Sequence, residues 1–440
     1  MREILNNLLG LNNILQIILF LAVISFIPSV IKFRALLLRK TTNLIYISCL
    51  LFAPFAILNL FNLTYQSFNG FTEADAILHS NEINEENKSK QRLVWIIFDE
   101  MGFRPSFPSR PGNIKLPNLD YLVNQSFIAS NAIKPGPDTL EAIPSLLIGK
   151  HVKKAFTNGS SDLLLEFSKN NKPVLKRDDN PIKKKSVKYN LLSNQDHIFK
   201  KTKESRYNLA ILGLGHPYCR LFHGLYKYCY NQFIPRQTIY DPDSIYNVFS
   251  SLLVKLWPFV QDKRREHTYA IKNSMELGLK FVSDPNLDLI FLHYHFPHSP
   301  YFYNPSSDEV SVSDVFLDYF DNLILVDKTL GSFIKGLKEN NLWDSTSILI
   351  SSDHGWRKEN WTNDWRTESG NEDHRVPFIL RIPNENLGMD LEVPIDTIYS
   401  RRIVDDLLLG EIITHEDIIE RLVFLDYSSE YFQHLKEDFK

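Results

Sequence analysis

Two apolar runs open the chain, and after residue 90 the apolar positions regroup into short blocks that alternate with helical stripes. Residues 8–31 and 44–63 each suffice to cross a hydrocarbon core of roughly 30 Å, which takes about 20 apolar residues. Between them lie Lys32, Arg34, Arg39 and Lys40 with no acidic residue, so the loop is predicted to face the cytoplasm and everything after residue 64 to lie outside. A cleaved signal peptide is the alternative for the first run, but that run lacks a small-residue cleavage site and a second span follows it. Asn12 and Asn13 fit an interfacial start. Residues 66–90 are polar and read as a tether, giving an anchor over 1–65 and a large domain over 91–440.

Within that domain, 93–98, 208–213, 287–292 and 346–351 are continuous apolar runs, as strands covered on both faces require. Residues 117–126, 140–147, 267–282 and 315–340 carry helical periodicity. Strands alternating with helices predict an α/β domain with a mostly parallel sheet flanked by helices. Ligands gather at the carboxyl ends of such strands. A Lys-rich stretch over about 168–203, including residues 183–185, reads as a solvated surface insertion; contact with an anionic lipid or glycan surface is the sharper alternative.

The net charge of -3 argues against nucleic acid as a partner. With 30 Phe and 19 Tyr, the chain can fill a sizeable core. Its 3 cysteines are too few for a disulfide scaffold. Cys219 and Cys229 are close neighbours in a polar segment, however, and outside the cytoplasm such a pair is expected to oxidise. Two unpaired buried thiols are the alternative.

Candidate chemistry sits at the strand ends. The first strand runs into Asp99-Glu100, and the strand over 346–351 runs toward Asp353-His354-Gly355. Thr139 follows Pro135-Gly136-Pro137 and opens a helical segment. A carboxylate at the end of a buried strand is costly unless paired or metal-bound. One such residue is often a cap; two ends in one sheet, one with His beside Asp, point to a metal.

These residues resemble the sulfatase family of the alkaline phosphatase superfamily. Leu116-Pro117-Asn118-Leu119-Asp120 is similar to its "PNLD" segment, and residues 139–149 are similar to its eleven-residue nucleophile segment ending in Leu-Leu-x-Gly. Pro297-His298-Ser299-Pro300, Ser352-Asp353-His354-Gly355 and Arg375-Val376-Pro377-Phe378 resemble its "PHxP", "DHG" and "RVP" segments. The order holds from about residue 92 to 383. Two spans ahead of such a domain also resemble the membrane-anchored phosphotransferase branch, the lipoteichoic acid synthases and phosphoethanolamine transferases. The resemblance implies a bacterial-type plasma-membrane protein with an extracytoplasmic catalytic domain, acting on a phospholipid or surface glycan.

One departure bears on the chemistry. Sulfatases carry Cys or Ser in a Cys/Ser-x-Pro-x-Arg segment, where it becomes formylglycine. Here the position is Thr139, and Glu141 and Ile143 stand in place of Pro and Arg. Threonine does not yield that aldehyde, whereas the phosphotransferase branch uses a Thr nucleophile. The expectation is therefore a metal-dependent enzyme that transfers or hydrolyses a phosphoryl-type ester, with a sulfatase proper or a non-catalytic binding protein as alternatives. Asp99, Glu100, Asp353 and His354, completed by Thr139, are expected to hold one divalent ion. The mixed oxygen and imidazole set favours Zn or Mn over Ca or Mg. Thr139 could instead be a plain helix N-cap. His298 is expected to contact the transferred group or protonate the leaving oxygen, and His374 and Arg375 to contact substrate oxygens. Arg375 has a structural ion pair as its alternative. His293 and His295 lie two apart on one strand face, where one is expected to be a satisfied core histidine and a catalytic role is the less favoured alternative for each; Glu372 and Asp373 read as exposed loop carboxylates, and His216 stays open as a substrate contact.

Overall fold

The computed structural model describes residues 91–159, 161–176, 188–214, 216–232, 263–311, 317–357, 373–383 and 385–422, with a few between 48 and 57. The first apolar run, most of the second, the tether and residues 183–185 lie outside the described residues. Among the described residues no helix is long and apolar enough to cross a membrane. The chain divides into two units, Met1–Ala74 and Asp75–Lys440, and the sheet and helices below belong to the second.

Eight strands form the central sheet: β1 (Arg92–Phe98), β2 (Phe127–Ala129), β3 (Leu209–Leu214), β4 (Tyr228–Gln232), β5 (Leu289–Tyr294), β6 (Thr346–Ser351), β7 (Phe378–Arg381) and β8 (Met389–Leu391). Their order is β8-β2-β7-β6-β1-β5-β3-β4. The five strands from β6 to β4 run parallel, β7 is antiparallel to both its neighbours, and β8 pairs with β2 in parallel. The expected mixed α/β architecture with a mostly parallel sheet is the one observed.

Alternation along β1 explains why its run is unbroken. Leu93, Trp95 and Ile97 enter one apolar cluster, while Val94, Ile96 and Phe98 enter another on the opposite face. The first cluster is closed by α2 (Thr139–Ile148), α3 (Ile198–Glu204) and α6 (Ser400–Leu409). The second is closed by α1 (Pro117–Val123), α4 (Lys263–Val282) and α5 (Tyr319–Glu339). Pro117 sits at the start of α1, where its missing N–H costs nothing. Asp327 of α5 accepts from the backbone N–H groups of Asn118 and Leu119, both at 2.8 Å, so the "PNLD" segment is a docked helix start.

One expectation needs correction. The stretch expected as a solvated insertion ends in α3, whose Ile198 and Phe199 are fully buried in the core; two apolar residues at its helix start outweigh the surrounding lysines. Between α2 and α3 the chain also builds a small antiparallel sheet from Val152–Asn158, Asp162–Phe167 and Asn190–Leu191. Cys219 and Cys229 are joined as a disulfide across a separation of 10 residues.

His197 caps α3 through its ring nitrogen and packs edge-on against Phe199 and Phe222. Burial pushes this imidazole down to about 4. The unfolded chain therefore takes the proton first. The stability from the neutral ring is complete above about pH 6.5 and is lost as pH falls toward 4, by about 3 kcal/mol in all. Thermal unfolding from pH 7 to 4 should show a flatter pH dependence in His197→Asn than in the parent; parallel profiles would contradict this.

Candidate active site

β6, β1 and β5 are parallel neighbours, so their carboxyl ends open on one edge, roughly 4.8 Å apart from strand to strand. β1 delivers Asp99 and Glu100, β6 delivers Asp353 and His354, and β5 delivers His295 and, three residues later, His298. Cross-links between these ends hold the edge rigid. Asp99 N donates to Tyr294 O (2.9 Å), and the Ser352 hydroxyl donates to Phe98 O (2.6 Å) while accepting from Met101 N (3.0 Å).

Glu100 has φ 67°, a left-handed conformation that costs a non-glycine residue about 1–2 kcal/mol. The Tyr319 hydroxyl pins this turn, donating to Glu100 O (3.1 Å) and accepting from Gly102 N (3.0 Å). Arg357 N donates to Glu100 Oε1 (3.0 Å).

Thr139 reaches the cluster from the start of α2. Asp138 is the N-cap of α2 and Thr139 the first helical residue, so the cap alternative for Thr139 does not hold. Its hydroxyl donates to Asp353 Oδ2 at 2.5 Å. A Cβ on Gly136 would come within 2.8 Å of Ala142 N, so the turn before Thr139 lies directly on the helix it precedes. The Thr139 carbonyl accepts from His216 Nε2 at 3.0 Å, which gives His216 a role in holding the helix start.

Asp353 divides its work between its two oxygens. Oδ1 accepts from His354 N (2.8 Å) and Glu100 N (3.2 Å), and Oδ2 faces Thr139. His354 Nε2 lies 3.4 Å from Asp99 Oδ1 and 3.6 Å from Asp353 Oδ2. Two ligand atoms each about 2.1 Å from one ion at a tetrahedral angle stand about 3.4 Å apart, so this spacing fits a shared cation. Asp99 Oδ1, Glu100 Oε2 and His293 Nε2 are buried with no hydrogen-bond partner among the described residues. Such orphaned atoms on converging carboxylates and imidazoles are what a metal would satisfy. Asp99 with His293 and Asp353, and Asp99 with His295 and His298, form two overlapping groups able to hold an ion.

The electrostatics are those of a crowded, dry cluster. Burial alone would raise the Asp99 carboxyl, but His298, His295 and His354 outweigh it and hold Asp99 well below the usual carboxylate range. Burial pushes Glu100 up to about 7 against the pull of His354 and Arg357. Burial opposes the charged form of His354, yet Asp353 and Asp99 raise it. Burial pushes His298 down to about 4, leaving it neutral.

Several residues differ from their expected roles. His295 Nδ1 is 3.0 Å from Asp99 Oδ2 and so belongs to the cluster; His293 Nδ1 is satisfied by the Tyr218 hydroxyl at 2.6 Å, and a ring nitrogen of His293 also lies within 4.8 Å of Asp99 and Asp353 carboxylate oxygens. Asp373 is 7% exposed, not an open loop carboxylate, and binds Arg375 through Nε (2.9 Å) and Nη2 (2.7 Å). Arg375 also lies over the Phe103 ring, so its ion-pair alternative describes it better than a substrate contact. His374 is buried beside it, and Glu372 lies outside the described residues. Arg357 escaped the sequence reading altogether. Its Nη1 is 2.6 Å from His298 Nε2, and its Nη2 is 3.4 Å from His354 Nε2. Nothing about an arginine two positions beyond Gly355 announces that reach.

Comparison with known proteins agrees with this arrangement. The PsFucS1 sulfatase of Pseudoalteromonas sp. has the same fold, with a TM-score of 0.50 at 14% identity over 73% of this chain and 69% of that one. An arylsulfatase of Hemicentrotus pulcherrimus is 28% identical over 161 residues, 30% of this chain and 29% of the relative. Lipoteichoic acid synthase 1 of Bacillus subtilis (strain 168) is 30% identical over 111 residues, 23% of this chain and 17% of the relative. The chain thus spans less than a third of either curated relative. The family model described as Sulfatase matches residues 91–400, more than half of the chain and every residue of the cluster. This chain belongs to the sulfatase family.

Proposed function

We propose that the protein is a metal-dependent enzyme that transfers or hydrolyses a phosphoryl-type ester through Thr139. The observation that carries this reading is the 2.5 Å hydrogen bond from the Thr139 hydroxyl to Asp353, within a cluster of carboxylates and imidazoles. A threonine hydroxyl is a weak nucleophile at neutral pH and needs such activation.

Asp99, Glu100, Asp353 and His354 would hold one divalent cation beside Thr139. When bound, it supplies Lewis-acid polarisation of a phosphoryl oxygen and lowers the pKa of the hydroxyl. The rest falls to the chain. Asp353 takes the hydroxyl proton as Oγ1 bonds to phosphorus, and the bond to the leaving oxygen breaks with its electron pair on that oxygen, which takes a proton from water. The amino end of α2 lies beside the incoming anion and favours it through its dipole. Water or an acceptor hydroxyl then displaces Thr139, giving up its own proton to the neutral His298 imidazole, while Asp353 returns its proton to Thr139 Oγ1.

Two predicted spans before residue 66 would place this chemistry at a bacterial-type plasma membrane, facing outward, within reach of a lipid headgroup or surface glycan. The likeness to a protein named lipoteichoic acid synthase 1 supports transfer over sulfate hydrolysis. Against a sulfatase proper stands Thr139 itself.

The test compares bis(4-nitrophenyl) phosphate with 4-nitrophenyl sulfate, using Mn²⁺-supplemented full-length protein. Phosphodiester turnover at least about tenfold above the sulfate rate is expected, as a threonine route requires, with loss on chelation and recovery on Mn²⁺ addition. Faster turnover of the sulfate ester would overturn the reading.

A further inference from the structure

Two arginines flank the cluster, and their contacts separate them. Arg375 is 13% exposed and grips one carboxylate, Asp373, with two nitrogens. That is how a structural guanidinium is held. Arg357 is 37% exposed, and its ion pairs are loose: Asp138 Oδ1 at 3.5 Å and Glu100 Oε1 at 3.8 Å among the described residues. Its shortest contact, 2.6 Å, is to Nε2 of His298, an acceptor without charge. A guanidinium presents five N–H donors in a fork matched to paired anionic oxygens. Here that fork rests on two imidazoles, at His298 and His354.

The position supplies the second half of the argument. Nη2 lies 3.4 Å from His354 Nε2, His354 Nε2 lies 3.6 Å from Asp353 Oδ2, and Asp353 Oδ2 holds the Thr139 hydroxyl at 2.5 Å. Asp138, the other carboxylate within reach, directly precedes Thr139. The fork is therefore one imidazole away from the attacking oxygen, at the partly open side of an otherwise buried cluster.

We propose that Arg357 is the residue that receives the substrate's tetrahedral oxyanion, donating a pair of N–H bonds to its non-bridging oxygens. This rests on Thr139 as the attacking group. Binding transfers the fork from His298 to the anion and frees His298 Nε2 to accept the proton of the incoming water or hydroxyl. Lysine keeps the charge but loses the paired geometry; glutamine loses both.

The test measures binding of inorganic phosphate, and separately of sulfate, to Mn²⁺-loaded full-length protein by titration calorimetry. The parent, Arg357→Gln, Arg357→Lys and Thr139→Ala are compared, with metal content and melting temperature recorded for each. Arg357→Gln is expected to weaken phosphate binding about tenfold or more and Arg357→Lys by less. The same order is expected for sulfate, because the guanidinium reads the oxygens and not the central atom. Undiminished phosphate binding by a folded, metal-loaded Arg357→Gln would overturn the proposal. So would a fall in metal content matching the fall in affinity, since Arg357 would then be supporting the ion site. Turnover by Thr139→Ala equal to the parent's would instead overturn the nucleophile reading and leave the anion result standing.

Discussion

Thr139→Ala is expected to lower ester turnover by about 10⁴-fold or more while the protein stays folded. The side chain contributes one methyl and one hydroxyl at the first turn of α2, and the hydroxyl's partner is Asp353 Oδ2. Deleting it leaves one carboxylate oxygen without its donor, a cost of about 1–2 kcal/mol, which a domain of this size tolerates. The chemical loss is far larger because the attacking atom itself is gone. Thr139→Ser keeps the hydroxyl on the same helix start and should retain activity within about 100-fold of the parent. Initial rates with a phosphodiester, alongside melting temperatures, check both. Equal loss in the alanine and serine variants would point to packing, not nucleophilicity.

The second large effect concerns Asp353→Asn. The asparagine carbonyl can still accept from His354 N and Glu100 N, because those donors share Oδ1. The amide nitrogen then faces the Thr139 hydroxyl and takes no proton from it. Turnover should fall by about 10³-fold or more, and bound metal should fall with it. Stability should hold or rise, since one of three buried carboxylates, Asp99, Glu100 and Asp353, has lost its charge. Metal analysis and thermal unfolding of the purified variant check this. A variant that keeps full metal content and parent-like rates would remove Asp353 from the chemistry.

Both effects grow from features that differ in how readable they are in sequence. β1, β5 and β6 are legible because both their faces are buried, leaving unbroken apolar runs with polar residues at the ends. Asp99 and Asp353 stand out for the same reason: each follows a buried run, 93–98 or 346–351, that carries no charge. The pairing of β1 with β5 leaves no such mark. It sets Phe98 level with Tyr294 and so brings His295 against Asp99, which period-two alternation alone assigns to a core face. Arg375 misleads in the opposite direction. Its place in an "RVP" segment suggests an anion contact, while Asp373 two residues earlier is buried and binds it. Arg357 acts through a turn after Gly355 whose course no local pattern encodes. Residues that act from strand ends are legible; those that act from loops depend on coordinates.

The central claim is that one cation site joins the strand tips of the sheet to the hydroxyl that opens α2. Anomalous-scattering crystallography of Mn²⁺-soaked protein tests it most directly. The account predicts an anomalous peak within about 2.0–2.4 Å of Thr139 Oγ1, Asp353 and Asp99 carboxylate oxygens, and His354 Nε2. A strong peak elsewhere, with those four side chains bare, would contradict it.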